Sequence, residues 1–284
     1  GPQFVDPHRN ASQLEAGGGL RGIAVAPDGR HVYVAAATSS AVVVFTRNLT
    51  TGALTWSSTL TNASPGVSGI GGARAVAVAP DGRHVVVAGE TDSGVTVFTR
   101  NLSTGALTFA EAKINNTGGV SGIGGASALA FSPGGDALYV AGFSDNSVAV
   151  FSRNASDGHL GFIEKETDGL GSPQVDGIAG ARGVEVSPDG SLVLVAGATD
   201  GKVAVFSRNP SGPQIHQLDF LDSAGLGSAV DLAITPAGEQ VYGVGSTTDL
   251  LGMYSETRAT VACPSPAGSD LTFSESVSIP AQSF

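Results

Sequence analysis

The chain has 284 residues, including 41 glycines, and its 25 acidic and 14 basic residues give a formal net charge of −11. A negative field of this size repels nucleic acid and anionic lipid heads, so we expect no partners of those classes. Because no run of about 18 consecutive apolar residues occurs, we also expect no membrane-spanning helix. The single cysteine excludes an internal disulfide framework and a metal site built from several thiolates.

One sequence segment recurs five times along the chain. Its second copy reads ARAVAVAPDGRHVVVA, and its proline returns at intervals of 53, 53, 55 and 48 residues. The equivalent prolines are Pro27, Pro80, Pro133, Pro188 and Pro236. A period in this range indicates a repeat architecture in which each repeat is one supersecondary unit.

The second repeat predicts four β-strands, because apolar and β-branched residues alternate with a period of two. We expect strands a to d at Ala73–Pro80, His84–Glu90, Gly94–Arg100 and Ala106–Ile114. Turn residues separate them: Pro-Asp-Gly between a and b, and Asn-x-Ser/Thr-x-Gly between c and d. No segment shows sustained helical spacing, so the fold is predicted to be all-β.

Five repeats of four antiparallel strands predict a five-bladed β-propeller with strand a innermost and with the fifth blade closing on the first. The repeats span residues 20–72, 73–125, 126–180, 181–228 and 229–284. Residues 1–19 form an N-terminal arm outside this ring. In the arm, Phe4 precedes Asn10 by six residues, as Trp56 precedes Asn62, so residues 3–10 are predicted to be one surplus outer strand.

The runs AVAVAPDGRHVVVAGETDSGVTVFTRNLSTGALTF and ALAFSPGGDALYVAGFSDNSVAVFSRN resemble the repeats of lactonase-type propellers. This class includes the YVTN surface-protein repeats and the cycloisomerase and 6-phosphogluconolactonase propellers. The resemblance covers roughly residues 20 to 280, and it implies the fold far more specifically than any activity. Members often have seven blades, whereas this chain supplies five repeats.

Most basic residues recur once per repeat, which is typical of contacts between neighbouring blades. Arg47, Arg100, Arg153 and Arg208 all end strand c, and His31 and His84 both begin strand b. No HExxH, GxSxG, CxxC, phosphate-binding loop or calcium-binding loop occurs. We therefore predict no catalytic residues, no metal site and no cofactor.

One rim of the propeller is predicted to carry polar residues that could hold a ligand near the axis. It would combine arginines that begin strand a with aspartates of the loops between strands b and c. These candidates are Arg21, Arg74, Arg182, Asp92, Asp145 and Asp200. The alternative is that they form arginine–aspartate pairs between blades, each contributing roughly 0–1 kcal/mol if exposed.

Six of the nine asparagines lie in Asn-x-Ser/Thr sequons and fall at repeating positions: Asn10, Asn48, Asn62, Asn101, Asn115 and Asn154. One set lies in the turn between strands c and d, and the other follows strand d. Solvent-exposed turns can carry a glycan, so we predict N-glycosylation and secretion to an extracellular or cell-surface location. The alternative is that asparagine, serine and threonine recur only as turn formers.

The ends of the chain are the least repetitive parts and are the predicted sites of protein contacts. Phe4 lies in the surplus strand, and Cys263 lies in an insertion of the fifth repeat. The strand could dock on its own propeller or on another subunit, and a lone cysteine is either a buried thiol or an intermolecular disulfide.

These features favour a secreted, glycosylated propeller that acts as a structural or interaction module, for example in a surface layer or filament. A second hypothesis is a lactonase or cycloisomerase-like enzyme with a site at the axial mouth, which the family resemblance implies. A third is a carbohydrate-binding lectin, for which one tryptophan and four tyrosines provide few stacking groups.

Overall fold

In the computed structural model, the described residues are 18–171, 174–209, 212–221, 227–238, 240–246, 251–257 and 272–273. They form twenty β-strands and no helix, so the described part of the chain offers no helix that could cross a membrane. The surplus strand at residues 3–10, with Phe4 and Asn10, and the insertion that contains Cys263 lie outside the described residues.

Each repeat forms one antiparallel four-stranded sheet in the strand order a-b-c-d, as predicted. The first blade contains β1 (Leu20–Val25), β2 (His31–Ala36), β3 (Ala41–Arg47) and β4 (Leu54–Thr61). The second contains β5 (Ala73–Val78), β6 (His84–Gly89), β7 (Gly94–Arg100) and β8 (Leu107–Ile114). The third contains β9 (Ala126–Phe131), β10 (Ala137–Gly142), β11 (Ser147–Arg153) and β12 (Leu160–Thr167).

The fourth blade contains β13 (Ala181–Val186), β14 (Leu192–Gly197), β15 (Lys202–Arg208) and β16 (Ile215–Leu221). The fifth contains β17 (Ala229–Ile234), β18 (Gln240–Gly245), β19 (Leu251–Thr257) and the short β20 (Thr272–Phe273). The predicted strand bounds agree to within two residues in the second blade, because alternating apolar residues and turn residues fix them locally.

The Pro-Asp-Gly turns form between strands a and b as expected from their residues. In the first blade the Asp28 carboxylate accepts the backbone N–H of Arg30 at 3.0 Å, and the Gly29 N–H donates to the Ala26 carbonyl at 2.8 Å. Gly29 has φ of +69°, a conformation that glycine adopts without steric cost. This turn sets the register of each hairpin and holds its aspartate at the edge of the blade.

The hydrophobic core lies between blades. Between the first and second blades, Tyr33 and Val42 pack against Val85 and Phe98, and all four are fully buried. Equivalent clusters join the second blade to the third, the third to the fourth and the fourth to the fifth. Each blade therefore depends on its neighbours for the burial that offsets the conformational entropy lost on folding.

The inner strands pack in the order β1, β5, β9, β13 and β17, which confirms that strand a is innermost. The expected closure of a five-bladed ring does not occur between described strands, since β17 and β1 share no such packing. Leu20, Ile23 and Val25 of β1 are all exposed. The five described sheets therefore do not close on one another through their inner strands.

Candidate functional site

The candidate site lies at the inner rim and is built on β-bulges. On the inner strand of every blade the pairing skips one residue, and in three blades that residue is an arginine: Arg21 in the first, Arg74 in the second and Arg182 in the fourth. A bulge leaves its extra residue out of the ladder and re-aims the side chain. Ser127 and Val230 are the skipped residues in the third and fifth blades.

A carboxylate joins two of these arginines across the propeller. Glu90 directly follows β6, and its Oε2 lies 3.1 Å from Nη1 of Arg74 in the same blade. Its Oε1 lies 3.1 Å from Nη1 of Arg182 in the fourth blade. The three side chains remain a fifth to a third exposed, so a solute from the solvent can reach the cluster.

An aromatic ring completes the cluster from the third blade. The guanidinium carbon of Arg182 lies 3.8 Å from the centre of the Phe143 ring, which is a cation–π contact. Phe143 and Glu90 occupy the same repeat position, the residue after strand b, where the other blades have Ala37, Ala198 and Ser246. Two unlike residues at one repeating position give this site the asymmetry that a binding or catalytic centre needs.

The cluster carries excess positive charge. Burial lowers the pKa of Arg182, and repulsion from the guanidinium groups of Arg74 and Arg21 lowers it further, while Glu90 raises it. Arg74 and Arg182 thus share the Glu90 carboxylate, and the charge of Arg21 also acts on Arg182, in a protein whose net charge is −11. An anion that entered this rim would relieve the repulsion between the guanidinium groups and accept charge-assisted hydrogen bonds.

The structure joins Arg74 and Arg182 through Glu90, and the charge of Arg21 acts on Arg182, but it gives the predicted aspartates a different role. The Asp92 carboxylate accepts the Gly71 N–H at 2.8 Å and the Asn62 side-chain amide at 2.9 Å. Asp145 makes the same two contacts with Gly124 and Asn115, and Asp200 accepts the N–H of Ala179. These carboxylates tie each crossing segment to the blade that follows it, and they do not contact the arginine cluster.

Sequence reasoning did not single out Glu90 or Phe143. Both are ordinary residues next to a strand end, and only the alignment of repeats shows that they replace alanine or serine. The available signal was that the residue type at this repeat position differs between blades, which a search for recurring residues overlooks.

Three of the four arginines that end strand c join neighbouring blades, as predicted. Nη2 of Arg100 lies 2.7 Å from an Asp28 carboxylate oxygen of the preceding blade and 2.7 Å from Nδ1 of His31. Arg153 repeats both contacts with Asp81 and His84, and Arg208 pairs with Asp136 at 2.9 Å. His31 and His84 are buried parts of these contacts, not ligands of a site.

Three further carboxylates lie close together where the third blade leads into the fourth. Oxygens of Asp168, Asp176 and Asp200 lie within 4.8 Å of one another. Burial, and then the neighbouring carboxylates Asp200 and Asp176, raise the pKa of Asp168. Lys202 Nζ already binds Asp176 at 2.8 Å, so we assign no metal site to this group.

The six sequon asparagines divide into two structural classes. Asn48, Asn101 and Asn154 are exposed, and each side-chain oxygen accepts backbone N–H groups of its own turn. Asn62 and Asn115 are partly buried, and their amides bind Asp92 and Asp145. Asn10 lies outside the described residues, and the glycosylation of all six stays a prediction.

The fold and this rim define a β-propeller with a polar site near its axis. The family model for the lactonase seven-bladed β-propellers matches residues 4–175 and 67–232, so the chain belongs to that family. The resemblance inferred from the repeats is thereby confirmed. No curated protein sequence matches the chain significantly.

Three solved structures illustrate the shared fold. A protein from Lactobacillus plantarum has a TM-score of 0.72 at 20% identity, over 92% of this chain and 72% of its own. A protein from Bacteroides uniformis, assigned provisionally as a 6-phosphogluconolactonase, has a TM-score of 0.67 at 19% identity, over 89% and 69%. The periplasmic gluconolactonase of Pseudomonas aeruginosa has a TM-score of 0.56 at 15% identity, over 91% and 85%.

Proposed function

We propose that the protein is a lactonase-type hydrolase that binds an anionic sugar-acid lactone at the arginine cluster. The observation that carries this proposal is the Glu90 carboxylate held between Arg74 and Arg182, with Arg21 nearby. Such a group combines a proton acceptor with donors for a developing negative charge. This reverses the leading sequence hypothesis of a structural module, because the family match favours the enzyme alternative.

Lactone hydrolysis requires the site to stabilise negative charge twice, first on the carbonyl oxygen and then on the product carboxylate. Water adds to the lactone carbonyl carbon, the ring C–O bond breaks, and the ring oxygen takes a proton to become a hydroxyl group. The other product group is a carboxylate, so negative charge first develops on the carbonyl oxygen and then remains on the product. Guanidinium donors stabilise both oxyanions, in the way that preorganised donors act in acyl transfer.

Each residue has a distinct role in this scheme. Glu90 accepts the proton of the attacking water, and Arg74, 3.1 Å away, holds that carboxylate in place. Arg182 donates to the carbonyl oxygen as charge develops on it, and Phe143 fixes the plane of its guanidinium group. Arg21, the inner-strand bulge residue of the first blade, is proposed to bind an anionic substituent of the substrate.

The comparisons support the substrate class but do not assign it. One relative is a periplasmic gluconolactonase, and two others are assigned provisionally as 6-phosphogluconolactonases. All are under 25% identical to this chain, so what they share with it is the fold. The lactone of a sugar acid, with or without a phosphate group, is therefore the first substrate to test.

The test is a pH-stat assay of acid release from D-glucono-1,5-lactone and from its 6-phosphate ester. We expect acceleration over the buffer rate that is lost in Arg182→Ala and in Glu90→Gln. The exposed turn residue Arg83 gives the matched control, because Arg83→Ala removes the same charge away from the cluster. No acceleration with either lactone, or equal loss in the control, contradicts the proposal.

A further inference from the structure

A buried hydroxyl group of the third blade contacts the backbone that carries the arginine cluster. Ser127 of β9 is 5% exposed, and its Oγ donates to the carbonyl oxygen of Ala181 at 2.8 Å and to that of Ala141 at 3.1 Å. Both acceptor residues are fully buried. The hydroxyl group therefore links the backbone of the third blade to that of the fourth in a dry environment, where a hydrogen bond is stronger than in water.

The two carbonyl groups precede the two partners of the cation–π contact. The Ala181 carbonyl belongs to the same peptide group as the backbone nitrogen of Arg182, and Ala141 stands two residues before Phe143. The guanidinium carbon of Arg182 lies 3.8 Å from the centre of the Phe143 ring. One hydroxyl group thus connects the two backbone segments whose separation decides this contact.

In the sequence, no other blade has a hydroxyl group at this position of its inner strand. The equivalent residues are Arg21, Arg74, Arg182 and Val230. A different tie recurs, in which the glycine two residues before the bulge donates its N–H to a side chain of the preceding blade: Gly72 to Ser40, Gly125 to Ser93 and Gly180 to Asn146. That tie treats three inner strands alike, whereas the Ser127 hydroxyl acts only on the strand that carries Arg182.

We propose that Ser127 is a positioning residue that holds the Arg182 guanidinium group against Phe143 and thereby aims it at the reacting carbonyl oxygen. The catalytic part rests on the proposed function, in which Arg182 donates to that oxygen as negative charge develops. Such a donor stabilises the transition state when its position is fixed beforehand. Glu90 holds Nη1 of Arg182 from across the rim, and Ser127 fixes the backbone from which the side chain extends.

A proton resonance of Arg182 reports its position without any substrate. The ring current of Phe143 moves the Nε–H resonance of a guanidinium group stacked on the ring to lower frequency, and Arg182→Lys assigns the resonance by its loss. We expect Ser127→Ala to return it towards the position of exposed arginines such as Arg83. Ser127→Thr keeps the hydroxyl group and should restore the displacement.

Hydrolysis of the lactone gives the second readout. We expect Ser127→Ala to lower kcat by about tenfold, because a small misplacement of a catalytic donor is costly. KM should stay nearly unchanged, since the proposed contact of Arg21 with the substrate is left in place. A fall in kcat at constant KM is not expected from a loss of stability alone.

Ser132 gives the matched control at the other end of the same inner strand. It is fully buried, its Oγ donates to the Asp136 carboxylate at 2.6 Å, and it accepts the N–H of Ala137 at 3.0 Å. Ser132→Ala should lower the urea midpoint, as Ser127→Ala does. It should leave both kcat and the Arg182 resonance unchanged.

Three results overturn the proposal. An Arg182 resonance that is the same in Ser127→Ala as in the parent chain shows that the hydroxyl group does not hold the guanidinium group. An equal displacement in Ser132→Ala shows that the loss of any buried hydroxyl has this effect. An unchanged kcat in Ser127→Ala rejects the catalytic part. If the parent chain hydrolyses no lactone, the proposed function fails, and the resonance alone decides whether Ser127 positions Arg182.

Discussion

Glu90 of the second blade and Arg182 of the fourth blade lie 92 residues apart and meet at 3.1 Å at the inner rim. The contact links two blades that are not neighbours in the chain. It holds a carboxylate inside a group of arginines, and the balance between these charges controls which ligand the rim accepts.

Replacing Glu90 by glutamine should separate binding from turnover. Glu90→Gln removes the only carboxylate that pairs with Arg74 and Arg182 among the described residues. The freed guanidinium groups should bind D-gluconate more tightly, by calorimetry, while lactone hydrolysis falls. Weaker gluconate binding in this variant would contradict an anion site.

The arginine at the junction between the second and third blades lacks one hydrogen bond that the arginines at the neighbouring junctions form. Nε of Arg100 donates to the Tyr33 hydroxyl at 2.8 Å, whereas Nε of Arg153 is buried without an acceptor. The reason is that Val86 occupies the position of Tyr33. Val86→Tyr should therefore raise the free energy of unfolding by about 1 kcal/mol, measured in urea.

A control separates the hydroxyl from the ring in this experiment. Val86→Phe adds the same aromatic volume but no acceptor, so it should not reproduce the gain. Equal stability of the tyrosine and phenylalanine variants would show that packing, not the hydrogen bond, decides the effect.

His31 and His84 should make the protein less stable in acid. A guanidinium group only donates, so Nδ1 of each imidazole is the acceptor and the ring is neutral. Burial and then the neighbouring arginine lower the pKa of each histidine below its ordinary value of 6.5. The unfolded chain then binds more protons, so the free energy of unfolding should fall as pH drops below 6.5.

The measurement is urea unfolding as a function of pH. His31→Ala and His84→Ala should each reduce the fall in the free energy of unfolding below pH 6.5. Alanine is tolerated at this position, because the third blade has Ala137 there. If neither substitution changes the fall in the free energy of unfolding below pH 6.5, the two histidines are not its cause.

Glu185 should make the protein less stable as the pH rises, which is the opposite of the pH dependence that the two histidines produce. Burial, and then the Asp231 carboxylate of the fifth blade, raise the pKa of Glu185 from 4.5 to about 7. The native state holds this proton more tightly, so stability should decrease by about 3 kcal/mol as pH rises from 4.5 to beyond 7. Glu185→Gln and Glu185→Ala should both remove this decrease, and a loss that persists in both would assign it elsewhere.

Glycan occupancy should follow the two structural classes of sequon. In a secretory host, Asn48, Asn101 and Asn154 are expected to be modified, because all three residues are exposed in their turns. Asn62 and Asn115 should remain unmodified, since their amides lie against Asp92 and Asp145 at 2.9 Å. Glycopeptide mass spectrometry tests this, and occupancy of Asn62 in folded protein would contradict it.

The repeat pattern was sufficient to predict the strands, their pairing order and the contacts that join neighbouring blades. Period-two alternation and the Pro-Asp-Gly turn are local features, so the hairpin geometry of His84–Gly89 against Gly94–Arg100 follows from nearby residues. Arg100 and Arg153 were predictable as interblade contacts because one arrangement repeats at each junction. Exceptions to the repeat, such as Phe143, carried no local signal.

The sequence by itself therefore determined the blade, and the tertiary structure decided how blades meet around the axis. The arrangement of neighbouring blades depends on the packing of large side chains such as Phe98 against Val42 and Tyr33, and no local pattern encodes it. That arrangement brings Glu90 to Arg182 across the rim, and it leaves Ile23 of the first blade exposed. Contacts between distant repeats depend on the sum of all intervening packing, which only the folded chain shows.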